Sequence, residues 1–273
     1  MRNKYNQTID WLFQQFPSYQ EIGAEAYKPG LERVEKLLST FSNPHLKTKT
    51  IHVAGTNGKG STCSFLASIL TEKGEKVGLF TSPHIFDFKE RIRINGTTIS
   101  DEDVVSFCTK LQEIELPFQP SFFEITFVMA MEYFAAQNCT FAIIETGLGG
   151  RLDATNVVQP LLSIITNIGL DHQQFLGHSI AEIAAEKAGI IKKNIPVFIA
   201  EETVETKNIF LTHALEKQTR INFLVPTHSK VDGIANYQQT NLQTAIQALS
   251  IIDIDVFDAE VSLALKNLFK NTG

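Results

Sequence analysis

The sequence predicts an α/β fold: a doubly wound, mostly parallel sheet entered through a phosphate-binding loop and carrying one β-hairpin insertion. Three observations predict it. The turn Gly55-Thr56-Asn57-Gly58-Lys59-Gly60-Ser61-Thr62 joins a β-like run, residues 51–54, to a helical pattern with Phe65, Leu66, Ile69 and Leu70 on one side. Strand and helix patterns then alternate at least five times, which calls for right-handed crossovers between parallel strands. Several of the strand segments, such as residues 77–80 and 141–144, are continuously apolar, as buried strands are.

In chain order, Ile9, Leu12, Phe13 and Phe16 recur at helical spacing over residues 8–16, and Pro17 closes the pattern. A second helix starts near Pro29 or Gly30, runs through Leu31, Val34, Leu37 and Leu38, and breaks at Asn43-Pro44. These helices form either one wall of a substrate cleft or plain packing.

The turn at residues 55–62 is the first candidate site. A strand that passes through glycines into a helix points successive backbone N–H groups, and the positive end of the helix dipole, at one spot, and a phosphate chain satisfies them. Lys59 adds a mobile charge, and Ser61 or Thr62 offers a hydroxyl to Mg2+. The loop departs from the usual Gly-x-x-x-x-Gly-Lys-Ser/Thr pattern: Val53 replaces its first glycine, and Gly60 separates the lysine from the hydroxyl.

Gly74 is expected to end the first helix as a left-handed cap. The strand at residues 77–80 runs into Thr81-Ser82-Pro83-His84, and ligands of parallel sheets gather at carboxyl ends of strands. Ser82 and His84 therefore either contact a ligand or metal, or form an ordinary turn. Residues 91–94 and 97–99, joined by Asn95-Gly96, read as a hairpin with a type I′ turn. Its arginines are expected to be exposed, holding an acidic substrate or solubilising an edge.

Ser100 to Asp103 reads as a capping box before a helix through Val104, Val105, Phe107, Cys108 and Leu111. Residues 122–134 are apolar nearly all round, the mark of a buried helix. Glu124 inside that run is a structural ion pair or a site residue. Residues 141–145 form an apolar run ending in Glu145, placed either to hold Mg2+ beside the phosphate loop or to cap a helix. Gly147-Leu148-Gly149-Gly150 and Arg151 to Asn156 follow. The strand at residues 161–165 leads to Asp171-His172 at a strand end. Residues 180–190 are helical with Lys187 on the apolar side, which requires pairing or modification unless the side chain snorkels. Further strands are expected at residues 196–200 and 221–225, and helices at 204–218, 240–250 and 259–269, with a loop over 231–237.

Composition bounds the partners. The 273 residues are 43% hydrophobic and 20% charged, with a formal charge of −6 from 24 basic and 30 acidic side chains. That balance argues against a broad nucleic-acid surface while leaving room for a local anion site. Cys63, Cys108 and Cys139 fit no zinc spacing and read as reduced thiols, Cys63 as a packing residue rather than a reactive one. The amino-terminal residues lack a signal-peptide core and no apolar run approaches membrane-spanning length, so a cytoplasmic monomer without membrane partners is expected.

His52 to Thr62, Thr81 to His84, Glu145 to Asn156, Thr166 to His172 and Glu186 to Gly189, five motifs in one order, resemble folylpolyglutamate synthase and the bifunctional dihydrofolate synthases of the Mur ligase superfamily. The resemblance implies a Mur-ligase-like ATP-binding domain over residues 1–273, with a helical segment at 1–48. It also implies an ATP-dependent ligase that activates a folate or dihydropteroate carboxylate as an acyl phosphate and joins it to L-glutamate. By matching motif, Thr56, Asn57, Gly58, Lys59, Gly60, Ser61 and Thr62 hold the ATP phosphates, and Asn241 lies near adenine. Two Mg2+ sites are implied, Ser61 with Glu145 at the first, Ser82 and His172 at the second. Lys187 matches a lysine carried as a carbamate, and His172 or the acyl phosphate accepts the amine proton. The family's further Rossmann-like domain is absent from these 273 residues, so turnover by this chain is expected to be incomplete. A non-catalytic nucleotide-binding remnant and a ligase of cell-wall precursors are the competing readings.

Overall fold

A computed structural model describes all residues except 1, 19–20, 22, 24–26, 228–230, 232–233 and 273. Among the described residues the order is α1 (Arg2–Gln15), α2 (Glu32–Thr40), β1 (Lys49–Ala54), α3 (Lys59–Glu72), β2 (Val77–Phe80), β3 (Ile92–Ile94), β4 (Thr97–Thr98), α4 (Asp101–Glu113), α5 (Phe122–Ala136) and β5 (Phe141–Glu145). There follow β6 (Leu162–Ile165), α6 (Gln173–Leu176), α7 (Ile180–Ala188), β7 (Val197–Ile199), α8 (Val204–Glu216), β8 (Ile221–Phe223), α9 (Asn236–Ser250), α10 (Asp258–Lys266) and α11 (Leu268–Thr272).

These strands make one eight-stranded sheet, β4-β3-β2-β5-β1-β6-β7-β8, in which only the β2–β3 and β3–β4 pairs are antiparallel, so that β3 alone runs against the other strands. β1 lies between β5 and β6, so its carboxyl end, and the loop that follows, meet the ends of both neighbours. Side chains alternate across the sheet. One face presents Ile51, Val53, Leu79, Ile143, Ile164 and Phe198 to α3, α9 and α10. The other presents Phe80, Ala142 and Ile144 to the layer containing α5, and Ile165, Val197 and Ile199 to the layer containing α7 and α8. Glu145 falls on the α3 face by this alternation, one strand away from the loop.

Most expected elements form, with differences that have physical causes. Helix α1 begins at Arg2 because Tyr5, in a polar stretch without apolar period, is buried and donates its hydroxyl to Asp87 Oδ1 at 2.9 Å. Helix α9 begins at Asn236, four residues before the helix expected at 240 and within a loop expected over 231–237, of which Asp232 and Gly233 lie outside the described residues. The last helix divides at Asn267, where Asn267 and Asn271 both donate to Glu72 Oε1 and anchor the segment to α3. Gly74 takes the left-handed conformation after α3, and Asn95 and Gly96 both have positive φ, as a type I′ hairpin requires. Ser100 accepts from the Asp103 N–H as an N-cap. The hairpin arginines overturn their expectation: Arg91 is buried and Arg93 half-buried, because the hairpin folds over an aromatic cluster rather than into solvent. All three cysteines are free and buried, and burial raises the Cys63 thiol well above its ordinary range, so it packs. Among the described residues no helix is long and apolar enough to cross a membrane.

Gly78 in β2 is a packing requirement. A Cβ there would lie 2.6 Å from the ring of the fully buried Phe134 on α5. Gly78→Ala is expected to lower stability by about 1–3 kcal/mol through overpacking, read as a lower urea midpoint with an unchanged slope.

Candidate active site

The segment between β1 and α3 is stapled to the segment that follows β6. Thr56 N donates to Asn167 O and Asn57 N to Asn167 Oδ1, at 2.9 and 2.8 Å. Thr166 Oγ1 donates to Asn57 O at 2.7 Å, and Gly169 N donates to Thr56 Oγ1 at 2.9 Å. Two glycines make this path possible. Gly55 (φ 151°) passes so close to Thr166 that a Cβ would sit 1.9 Å from its hydroxyl oxygen, and Gly58 (φ 81°) has Asn241 Oδ1 at 2.4 Å from the same position. Asn241 Nδ2 donates to Gln238 Oε1, and Gln238 Nε2 donates to Ser61 Oγ, at 2.9 and 3.0 Å, so the start of α9 lies over the start of α3.

Two lysines converge on the loop from opposite sides. Lys59 Nζ donates to Gly55 O and Thr56 O, both at 3.1 Å, and Lys187 Nζ, buried in α7, donates to Gly55 O at 2.8 Å. Burial first, and the charge of Lys59 second, lower the Lys187 pKa to about 8. The inward lysine of α7 is therefore paired with a carbonyl and does not snorkel.

Glu145 ends β5 inside this group. It accepts from Ser82 N at 3.1 Å, and its Oε2 lies 3.6 Å from the position a Cβ on Gly60 would take. Burial raises its pKa to about 7, outweighing the attraction of Lys59 and Arg91. Arg91, displaced from the expected exposed edge, donates Nε to His84 Nδ1 at 2.7 Å and lies 5.2 Å from the centre of the Phe122 ring. Its burial lowers its pKa to about 10. His84 is thereby committed to Arg91, whereas Ser82 faces a cavity.

That cavity, about 400 Å³, is walled by Tyr27, Pro83, Phe122, Phe123, Leu148 and Leu152 and has Lys59, Ser82, Arg91, Asp153 and His172 among its polar lining. Mostly apolar walls with a few convergent polar groups are the composition of a small-molecule site. Glu124 also lines it, but its carboxylate is engaged in the cap at Ser121 and in an ion pair with Arg33 Nε at 3.2 Å, which matches the structural alternative. His172 precedes α6 with φ 47°, and its Nε2 lies 3.5 Å from Asp171 Oδ2.

Of the residues singled out from sequence, Lys59, Ser82 and His172 share the cavity, and Glu145 lies directly behind Ser82. Thr56, Asn57, Gly58, Gly60 and Ser61 form the loop and first turn of α3, with Asn241 against Gly58 and Lys187 beneath Gly55. Thr62 is fully buried, with its hydroxyl unpartnered among the described residues, so Ser61 is the accessible one of the two hydroxyls. Sequence reasoning missed Asn167, Gln238, Asp153, Thr155 and His52. Asn167, immediately after β6, carried a positional signal, and His52, Asp153 and Thr155 lie within the quoted motifs; no role for them was legible, nor any for Gln238, since the partners of His52 and Gln238 are far away in the chain. Asp153 is buried and accepts from Leu148 N at 2.7 Å and Thr155 N at 3.0 Å.

Residues 53–271 match the model of the Mur ligase middle domain. A dihydrofolate synthase/folylpolyglutamate synthase of Bacillus subtilis is 48% identical over 198 residues, covering 70% of this chain and 46% of that protein. The chain thus spans less than half the length of that relative. A crystal structure of folylpolyglutamate synthase from Thermotoga maritima superposes with TM-score 0.85 at 34% identity, over 97% of this chain and 66% of that one. A folylpolyglutamate synthase solved with AMPPCP and folate superposes with TM-score 0.84 at 30% identity, over 96% and 71%. With residues 53–271 inside that family model and these relatives over most of its length, the protein belongs to the Mur ligase middle-domain family, in the branch of the folylpolyglutamate and dihydrofolate synthases.

Proposed function

We propose that this chain carries the ATP- and pteroyl-binding part of a ligase that joins L-glutamate to folate or dihydropteroate. One observation carries the reading: Lys59 belongs both to the phosphate loop and to the wall of the apolar cavity. A triphosphate on the loop and the carboxylate end of an aromatic acid in the cavity would meet at that ammonium group. The relative solved with AMPPCP and folate supports the pairing of ligands.

The acid is already ionised near neutral pH, so its attack on the γ-phosphate needs no general base. Lys59 exchanges its loop carbonyls for phosphate oxygens, and the N–H groups of the first turn of α3, with its dipole, stabilise the charge that remains, while the Thr56 and Asn57 N–H groups stay with Asn167. ADP leaves, and the glutamate amine then displaces phosphate from the acyl phosphate, with His172 or the acyl phosphate itself taking the amine proton.

The donor set fits Mg2+. Ser61 and Ser82 hydroxyls, the Glu145 carboxylate and the His172 ring supply mainly hard oxygen ligands, and a buried carboxylate whose pKa has risen to about 7 lacks a full counter-charge. Among the described residues no three His, Cys, Asp or Glu side chains group as a metal cage, in keeping with an ion that takes further ligands from phosphate and water. When bound, the ion would neutralise the repulsion between the two anionic reactants. Asn241 would border the adenine. Lys187, with its lowered pKa of about 8, offers a neutral amine fraction for carbamate formation, which would add an anion beside the loop; intact mass under CO2 is expected to show one added CO2, lost in Lys187→Arg.

Calorimetric titration of the 273-residue chain tests the reading: AMPPCP with Mg2+ and either dihydropteroate or folate should both bind, and failure of both pteroyl compounds would refute it. Lys59→Ala is expected to weaken AMPPCP binding by about tenfold or more, the scale of a lost charge-assisted hydrogen bond. Protons compete with the cation at Glu145. Mg2+ affinity in the presence of AMPPCP is therefore expected to rise from pH 6 to pH 8 and level above the pKa of about 7, and Glu145→Gln should flatten that profile. The same raised pKa means that the folded chain keeps a proton which the unfolded chain loses above about 4.5. Metal-free stability should accordingly decline as pH rises from 4.5 towards 7.

A further inference from the structure

We infer that His52 and Thr155 are positioning residues: buried beneath the cavity, they hold the Asp153 carboxylate, and through it the Gly147-Leu148 turn, in the orientation that shapes the wall against the acyl substrate. The inference rests on the reading of the cavity given above.

His52 lies in the middle of β1, the strand that leads into the phosphate loop, and its ring is fully buried. Its Nε2 is 2.8 Å from Thr155 Oγ1, and Thr155 Oγ1 in turn makes a short hydrogen bond to Asp153 Oδ1. Protons fix the direction of this chain. The Thr155 hydroxyl has one hydrogen and gives it to the carboxylate, so its oxygen can only accept, and His52 must donate from Nε2. Burial keeps the ring neutral, with a pKa near 3, so Nδ1 is a bare acceptor, and it is unpartnered among the described residues. At the far end Asp153 Oδ2 receives Leu148 N, and Leu148 faces the cavity.

The fold by itself does not call for this arrangement. A central parallel strand is satisfied by apolar side chains, and replacing a buried hydrogen-bonded pair by groups of similar shape is often close to neutral for stability. What the network adds is a rigid link with a single proton order between the strand bearing the phosphate loop and the wall of the neighbouring cavity. Two substrates that must meet in line need those two surfaces in fixed register.

The test uses Thr155→Val, which removes the hydroxyl at similar shape, Thr155→Ser, which keeps it, and His52→Gln, which keeps a donor. Amide hydrogen exchange at Leu148 is read together with affinities for dihydropteroate and for AMPPCP. In Thr155→Val, Leu148 exchange should rise and dihydropteroate affinity should fall, each by about tenfold, while AMPPCP affinity is unchanged. Thr155→Ser should restore both, and His52→Gln should lie between. Wild-type exchange at Leu148 in Thr155→Val, or an equal fall in both affinities together with a lowered melting temperature, would overturn the inference. A wild-type chain that binds AMPPCP but no dihydropteroate refutes the reading of the cavity and, with it, the substrate role; Leu148 exchange then separately decides whether the network holds the turn.

Discussion

Between β1 and α3 the backbone runs so close to the end of β6 that Gly55 has room for hydrogen only, with Thr166 Oγ1 occupying the space of a Cβ. Much of the site depends on that approach. It lets Asn167 gather the Thr56 and Asn57 N–H groups, it exposes Gly55 O to both Lys59 and Lys187, and it sets the entry angle of α3. A side chain at residue 55 would push the loop off β6 and break its bonds to Asn167 and to the two lysines. The chain order β5-β1-β6 is what brings the three strand ends together at this point.

Charge is concentrated here at a cost in solvation. Lys59, Lys187, Arg91 and Glu145 lie close enough to perturb one another, and burial dominates the shift of each group whose pKa moves. The two lysines are satisfied by loop carbonyls, and Glu145 by one backbone N–H and its neighbouring cations. Such a cluster is poorly explained as a stabilising device, since buried charges seldom repay their desolvation. Under the proposed function it serves as polar groups oriented in advance for anionic reactants, where low dielectric strengthens each contact and no reorganisation is needed at the moment of reaction.

Local signals were legible where one residue type imposes its conformation on its own neighbourhood. Asn95-Gly96 dictated the hairpin turn, Gly74 the end of α3, Ser100 the start of α4, and the apolar runs the central strands and α5. Tyr5 shows the limit: the turn of α1 ahead of Ile9 is otherwise polar, and the bond that orders it reaches Asp87, far along the chain. Arg91 failed for a similar reason. Alternation in a short hairpin gives a side chain's face, but whether solvent or another layer covers that face depends on Phe122 and α5.

The amino-acid sequence by itself determined the glycine-rich loop, the order of strands and helices and the carboxylate closing β5, and its motifs carried the resemblance to the family. The first three follow from spacing along a few residues, where glycine freedom, apolar period and capping act locally. Tertiary structure alone decided that Lys59, Ser82 and His172 line one cavity, that Thr62 is sealed while Ser61 is reachable, and that His52 reaches Asp153 through Thr155. Those outcomes arise from contacts between strands and helices remote in sequence, and hydrogen bonds across such distances leave no period or motif in the chain that makes them.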